Sequence, residues 1–302
     1  MSQRTSRALA ICSDFAVSPR EAKRIAMKTA WSESYPSKGA LRREVQAMVQ
    51  AILHVLLCEI GGDSIRGVYF KGSGQRKWDT LLDYVPELSD VDIHVWFDDG
   101  KWAETGGIDL ETSLRIQAGI QNAYHEAIAD PIHLPRPQII PLNQLKQDIE
   151  YVPPPPGGVQ VIFGENMAAD VQLSPAEIRR IDADRLAVDG AAIASLPLKA
   201  IDRPGRYIWT ALAYLSWRVS PTGARVLDLL GMDPDETWSM NRTAVISALR
   251  ARDQDLLADR LSEYYIRAWD YFLSGYRDDE AARHVIRSGA NAISIACEVV
   301  AS

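Results

Sequence analysis

The sequence predicts an α+β fold, in which a mixed α/β half over residues 1–172 is followed by an all-helical bundle over residues 173–302. Three observations carry this. Strand-like and helix-like periods alternate up to about residue 165, helical periods alone run from Ser174 to the C-terminus, and a strong helix start, Ser174-Pro175-Ala176-Glu177, marks the change. A chain of 302 residues, 47% apolar and with 8 Trp, 11 Tyr and 5 Phe, has the length and composition to bury two cores.

In chain order, Leu41 to Ile60 places apolar residues at three- and four-residue spacing and predicts a long amphipathic helix, closed by Gly61, Gly62 and Asp63. Gly67 to Phe70 is a short apolar strand leading into the turn Lys71-Gly72-Ser73-Gly74. Ser89 to Phe97 (SDVDIHVWF) alternates in period two and is the clearest strand of the chain. Ile108 to Ala129 is again helical and stops at Asp130-Pro131. Arg136 to Leu142 and Val159 to Phe163 predict two further strands, with the run from Pro153 to Gly158 between them as an extended surface loop. Beyond Ser174, helices are expected over Arg206–Val219, Gly223–Leu230, Arg242–Arg250, Gln254–Ser274 and Asp279–Val300, with Ser220-Pro221 separating the first two.

Composition excludes several classes of function. Cys12, Cys58 and Cys297 are far apart and include no C-x-x-C pair, so neither a disulfide framework nor a cysteine zinc site is expected, and a reducing cytoplasm is the natural compartment. No stretch reaches the ~18 uninterrupted apolar residues of a membrane span, so a membrane is not expected as a partner. The net charge of -7 disfavours a large polyanion such as nucleic acid, while leaving room for a small anion in one local pocket.

Four Asp-x-Asp triplets occur, and three have structural explanations. Asp182/Asp184 lies in a helical pattern, Asp233/Asp235 flanks a proline turn, and Asp253/Asp255 stands at a helix start. Asp90/Asp92 is different, because residues two apart on a strand share a face at a spacing of ~6.5–7 Å. Val91, Ile93, Val95 and Phe97 take the opposite face. Two carboxylates on one rigid strand suit Mg2+, a hard cation that also takes oxygens from substrate phosphates.

A strand ending in Gly72-Ser73, followed by a strand that opens on Asp90-Val91-Asp92, resembles the polymerase-beta-like nucleotidyltransferase superfamily. The stretch is GVYFKGSGQRKWDTLLDYVPELSDVDIHVWF, residues 67–97. The helix before the first strand and the helical second half also resemble the small bacterial, aminoglycoside-type members. The resemblance implies a mixed-sheet nucleotidyltransferase domain with Asp90 and Asp92 as catalytic metal ligands for Mg2+. Gly72, Ser73 and Gly74, with Arg76 and Lys77, would bind the phosphates of ATP or another nucleoside triphosphate. It further implies transfer of a nucleoside monophosphate, AMP from ATP, to a hydroxyl of a small-molecule acceptor. His94 and Trp96 continue the acidic face and are expected to shape the pocket.

Two departures accompany the resemblance. The segment WDTLLDYVPEL lengthens the spacing to Asp90, and its acids Asp79, Asp83 and Glu87 are expected to be solvated charges. The third carboxylate of the family falls on Gln138, which cannot act as a base. Glu165, Asp170 or a group from the helical half would have to replace it, or two carboxylates suffice. The remaining alternative is a non-catalytic nucleotide-binding module, such as a nucleotidyltransferase-like toxin-antitoxin component.

Overall fold

The computed structural model describes residues 29–100, 102, 107–145, 151–165 and 173–301. Asp170 and Cys12, both named above, lie outside them. The protein is α+β, with one four-stranded mixed sheet and a majority of helix. It divides into two compact units that interleave in sequence. Of the described residues, one unit holds those within 32–77 and 89–173; the other holds those within 29–31, 78–88 and 174–301.

In the first unit, strands β1 (Ile65–Lys71), β2 (Asp90–Phe97), β3 (Arg136–Pro141) and β4 (Val159–Gly164) lie in the order β3-β2-β1-β4. β1 is antiparallel to β2 and β4, whereas β2 and β3 run parallel. The parallel pair needs a crossover, which helix α2 (Leu110–Ala127) supplies. Its N-cap Asp109 accepts a hydrogen bond from Thr112 N. Helix α1 (Lys38–Ile60) packs on α2 and against β1 and β2. The expected amphipathic stripe is what it buries, from Leu41 through Val45, Met48 and Ile52 to Leu56. Val91, Ile93 and Val95 of β2 are fully enclosed. The alternation seen in the sequence thus sorts one face of β2 into the core and leaves Asp90 and Asp92 on the other.

The buried Glu44 of α1 fastens the connection into β3. Its carboxylate accepts the backbone N–H groups of Ile132 and His133, and lies 2.5 Å from His133 Nδ1. Asn143 plays a similar part at the other end of β2, where it both accepts from Phe97 N and donates to Phe97 O.

The second unit is helical: α3 (Pro175–Ile193), α4 (Leu196–Ala200), α5 (Trp209–Leu229), α6 (Pro234–Ser239), α7 (Arg242–Arg250), α8 (Asp255–Leu273) and α9 (Asp279–Ala301). Ser174 and Glu177 form the expected capping box at the start of α3. The break expected at Ser220-Pro221 does not occur, because α5 runs through it as one helix. Proline removes one N–H and crowds the preceding turn. Packing against α9, α3 and α7 nevertheless outweighs the propensity. Gly223, two residues later, is required by that packing, since a Cβ there would lie 2.6 Å from Val245 Cγ1.

The segment Trp78–Leu88 belongs to this helical unit, and its acids are not equivalent. Asp83 is buried, contrary to the expected solvated charge, and accepts hydrogen bonds from Asp79 N, Thr80 N, Thr243 N and Thr243 Oγ1. Trp78 stacks on Tyr84 with ring centroids 4.3 Å apart, and Trp269 Nε1 donates to Leu81 O. Among the described residues no helix is long and apolar enough to cross a membrane.

Candidate functional site

The residues singled out on β1 and β2 converge at one end of the sheet in the first unit. β1 and β2 pair with Lys71 opposite Asp92 and Tyr69 opposite His94. On the other side of β2, Arg136 stands opposite Asp90, Gln138 opposite Asp92 and Ile140 opposite His94. One sheet face therefore carries a row of Gln138, Asp92 and Lys71, with the Arg136–Asp90 pair beside it.

The turn expected after β1 is a short helical turn, Gly72–Gln75. Gly72 has φ +77°, a left-handed conformation that side chains disfavour. It also has no room for one: a Cβ on Gly72 would fall 1.9 Å from Asp92 Oδ2. Two independent constraints thus require glycine here, and the second ties the turn directly to the carboxylate. Gly74 is buried, with space for a Cβ limited by Phe70 Cζ at 3.2 Å and Asp90 O at 3.4 Å. Ser73 sits between the two glycines and is half-buried.

Arg42 of α1 holds this turn from behind. It donates through Nη1 to Gly74 O at 3.3 Å and to Gln75 O at 3.5 Å, and through Nη2 to Arg76 O. The carbonyls at the end of a short helical turn have no partner within it, and a guanidinium fork suits them. Nothing in the sequence marked Arg42, because it lies inside an ordinary amphipathic helix. Of the two cations after the turn, Arg76 is half-buried and Lys77 is exposed.

Asp90 and Asp92 are both half-buried. Asp90 is engaged by Arg136, with Arg136 Nε 2.6 Å from Asp90 Oδ1. Asp92 faces Lys71, whose ammonium is pushed below its ordinary pKa by burial; Asp92 opposes this shift and Arg76 adds to it. His94 is enclosed, and burial together with the nearby Lys71 drives its pKa down to about 2. It is therefore a neutral imidazole at any physiological pH and supplies no acid. Its Nε2 has no hydrogen-bond partner.

The covering of His94 follows from what lies beyond it on the same face. Tyr69, Trp96 and Leu142 form an apolar cluster, with Leu145, Tyr151 and Val159 packed against it. Tyr69, Trp96 and Leu142 are buried, whereas Asp90 and Asp92 at the other end are partly exposed. His94 and Trp96 lie buried behind the acid pair on the same face.

Glu165 does not join the acid pair. It follows β4, whose last residue Gly164 pairs with Gly67, and its own N–H donates to Arg66 O, so it is five residues of β1 away from Lys71, or about 16 Å at the rise of a strand. Its carboxylate is exposed and pairs with Arg66. Among the described residues no group of three or more His, Cys, Asp or Glu side chains gathers in a metal-binding arrangement. A cation held here would have two protein carboxylates.

Comparisons of the chain with protein-family models, with curated proteins and with solved structures found no match.

Proposed function

We propose that the protein is a Mg2+-dependent nucleotidyltransferase that transfers a nucleoside monophosphate, AMP from ATP, to a hydroxyl of a small-molecule acceptor. The observation that carries this reading is the contact between Gly72 and Asp92, where the backbone of a glycine turn lies too close to a strand carboxylate to admit a side chain. A turn that exposes backbone N–H groups cradles phosphate oxygens, and an acidic strand face beside it holds the cation those oxygens bring.

The donor set fits Mg2+ bound with nucleotide. Mg2+ is commonly held by one or two carboxylates and completes its shell with phosphate oxygens and water, so Asp90 and Asp92 are the residues that would hold it. When bound, the cation offsets the charge that develops on the phosphates as pyrophosphate leaves. The chain's own residues do the remaining work. Gly72 and Gly74 let the backbone approach the triphosphate, and Ser73 offers an N–H and a hydroxyl. Arg76 and Lys77 add positive charge along the phosphates. His94, neutral and enclosed, lies behind the acid pair and carries no charge into the site.

A second reading rests on Gln138, the strand partner of Asp92. An amide takes no proton, so this position supplies no base toward an attacking hydroxyl. On that observation the protein would bind nucleotide without transferring it, as a regulatory module such as a nucleotidyltransferase-like toxin-antitoxin component. Incubation with labelled ATP, Mg2+ and a panel of acceptor alcohols separates the two. The enzyme releases pyrophosphate above the level of the Asp90→Ala/Asp92→Ala variant. A binding module retains nucleotide and releases none.

A further inference from the structure

We propose that Arg136 is a built-in counter-ion for Asp90, so that the divalent cation enters this site together with nucleotide phosphates and not ahead of them. This rests on the nucleotide-binding reading of the Asp90/Asp92 site and assigns to Arg136 a role in it that neither the acid pair nor the glycine turn supplies.

Three observations carry the inference. Arg136 opens β3 directly opposite Asp90 in a parallel pairing, so the contact is fixed by strand register and not by a wandering surface side chain. Arg136 Nε lies 2.6 Å from Asp90 Oδ1, a close ion pair. The Asp90 side chain is 15% exposed and that of Arg136 30% exposed, so the pair is partly enclosed and still borders solvent. Asp92 has its own basic strand partner in Lys71. Asp90 is therefore already paired when a cation arrives alone.

A cation bound to Asp90 must displace Arg136, which loses a partly enclosed ion pair unless another anion receives the guanidinium. A triphosphate is such an anion, because the planar fork of arginine matches phosphate oxygens. Phosphate and cation then exchange partners with Arg136 and Asp90 in one event. Arg136 acts on the cation through Asp90 and is a positioning residue.

The test measures Mn2+ binding without nucleotide, by loss of the free-ion electron paramagnetic resonance signal, in the full-length protein and in Arg136→Met. The wild type is expected to bind Mn2+ at least tenfold more weakly than Arg136→Met, and Asp90→Asn/Arg136→Met is expected to lose the gain. Arg136→Gln removes the same charge and reads the same quantity if the methionine variant does not fold. Equal Mn2+ affinity in the wild type and in a folded Arg136 variant overturns the inference. A parallel titration with Mg2+ and a nonhydrolysable ATP analogue is expected to show binding that weakens about tenfold in the Arg136 variants. If the wild type binds no analogue while the variants still gain Mn2+, the nucleotide reading fails and the counter-ion role stands.

Discussion

The carboxylate of Asp83 receives both the backbone N–H and the side-chain hydroxyl of Thr243, each at 2.8 Å, across 160 residues of sequence. Thr243 lies in the first turn of α7, whose exposed N–H groups favour an anion. The same carboxylate takes the N–H groups of Asp79 and Thr80, so one side chain folds the segment Trp78–Leu88 and docks it within the helical unit. Asp83→Ala leaves several partly buried donors without an acceptor and is expected to cost about 1–3 kcal/mol in urea denaturation. A loss below half a kcal/mol would show that the docking depends instead on Trp78 and Trp269.

Asp83 also shows where sequence reading stops. The period-two pattern of Asp90–Phe97 was legible because burial of one strand face imposes it locally. The glycine turn was legible because Gly72 is needed by its own φ as well as by Asp92. Asp83 looked like a loop charge, since its meaning depends on a helix N-terminus that only the fold brings near. Arg42 was hidden for the same reason: three carbonyls of a distant turn give it its role. Pro221 misled in the opposite sense, because tertiary packing carried α5 through a residue that ends helices in isolation. The sequence marks Arg136 only as a strand residue, because its pairing with Asp90 depends on the register of β2 and β3.

Gly72→Ala adds a methyl group 1.9 Å from Asp92 Oδ2 and strains a backbone at φ +77°. The strain alone is about 1–2 kcal/mol. The larger effect is displacement of the Asp92 carboxylate. Binding of Mg2+ with a nonhydrolysable ATP analogue is expected to weaken at least tenfold, while the protein remains folded by circular dichroism. Unchanged affinity in the folded variant would detach the turn from the nucleotide site.

Arg42→Ala removes the donors to Gly74 O, Gln75 O and Arg76 O without touching Asp90 or Asp92. The expected result is a five- to tenfold loss of analogue affinity, with Arg42→Lys intermediate because an ammonium lacks the fork. Calorimetric titration of both variants checks the order.

Asp182 of α3 lies in a buried network with Arg225 and with Trp238 Nε1, which donates to it. Burial raises its pKa to about 7, against the pull of Arg225. Asp189 and Asp228 are shifted in the same direction, also by burial. Between about pH 4 and pH 7 the folded chain therefore holds a proton on Asp182 that the unfolded chain lacks. The stability contributed by this proton is complete below the unfolded value and is lost as the pH rises through about 7. Asp182→Asn is expected to flatten the fall in stability between pH 5 and pH 8 by about 1–2 kcal/mol. Thermal melts of both proteins across that range measure it, and an unaltered slope would remove Asp182 from the titration.

The proposed function requires the Gly72 turn and the Asp90/Asp92 face to form one site for a nucleoside triphosphate and its cation. Isothermal titration of the protein with a nonhydrolysable ATP analogue, with and without Mg2+, tests it most directly. Binding to a single site, dependent on Mg2+ and lost in Asp90→Ala/Asp92→Ala, is the expected result. Binding that is independent of Mg2+, or that survives in the double variant, would contradict it.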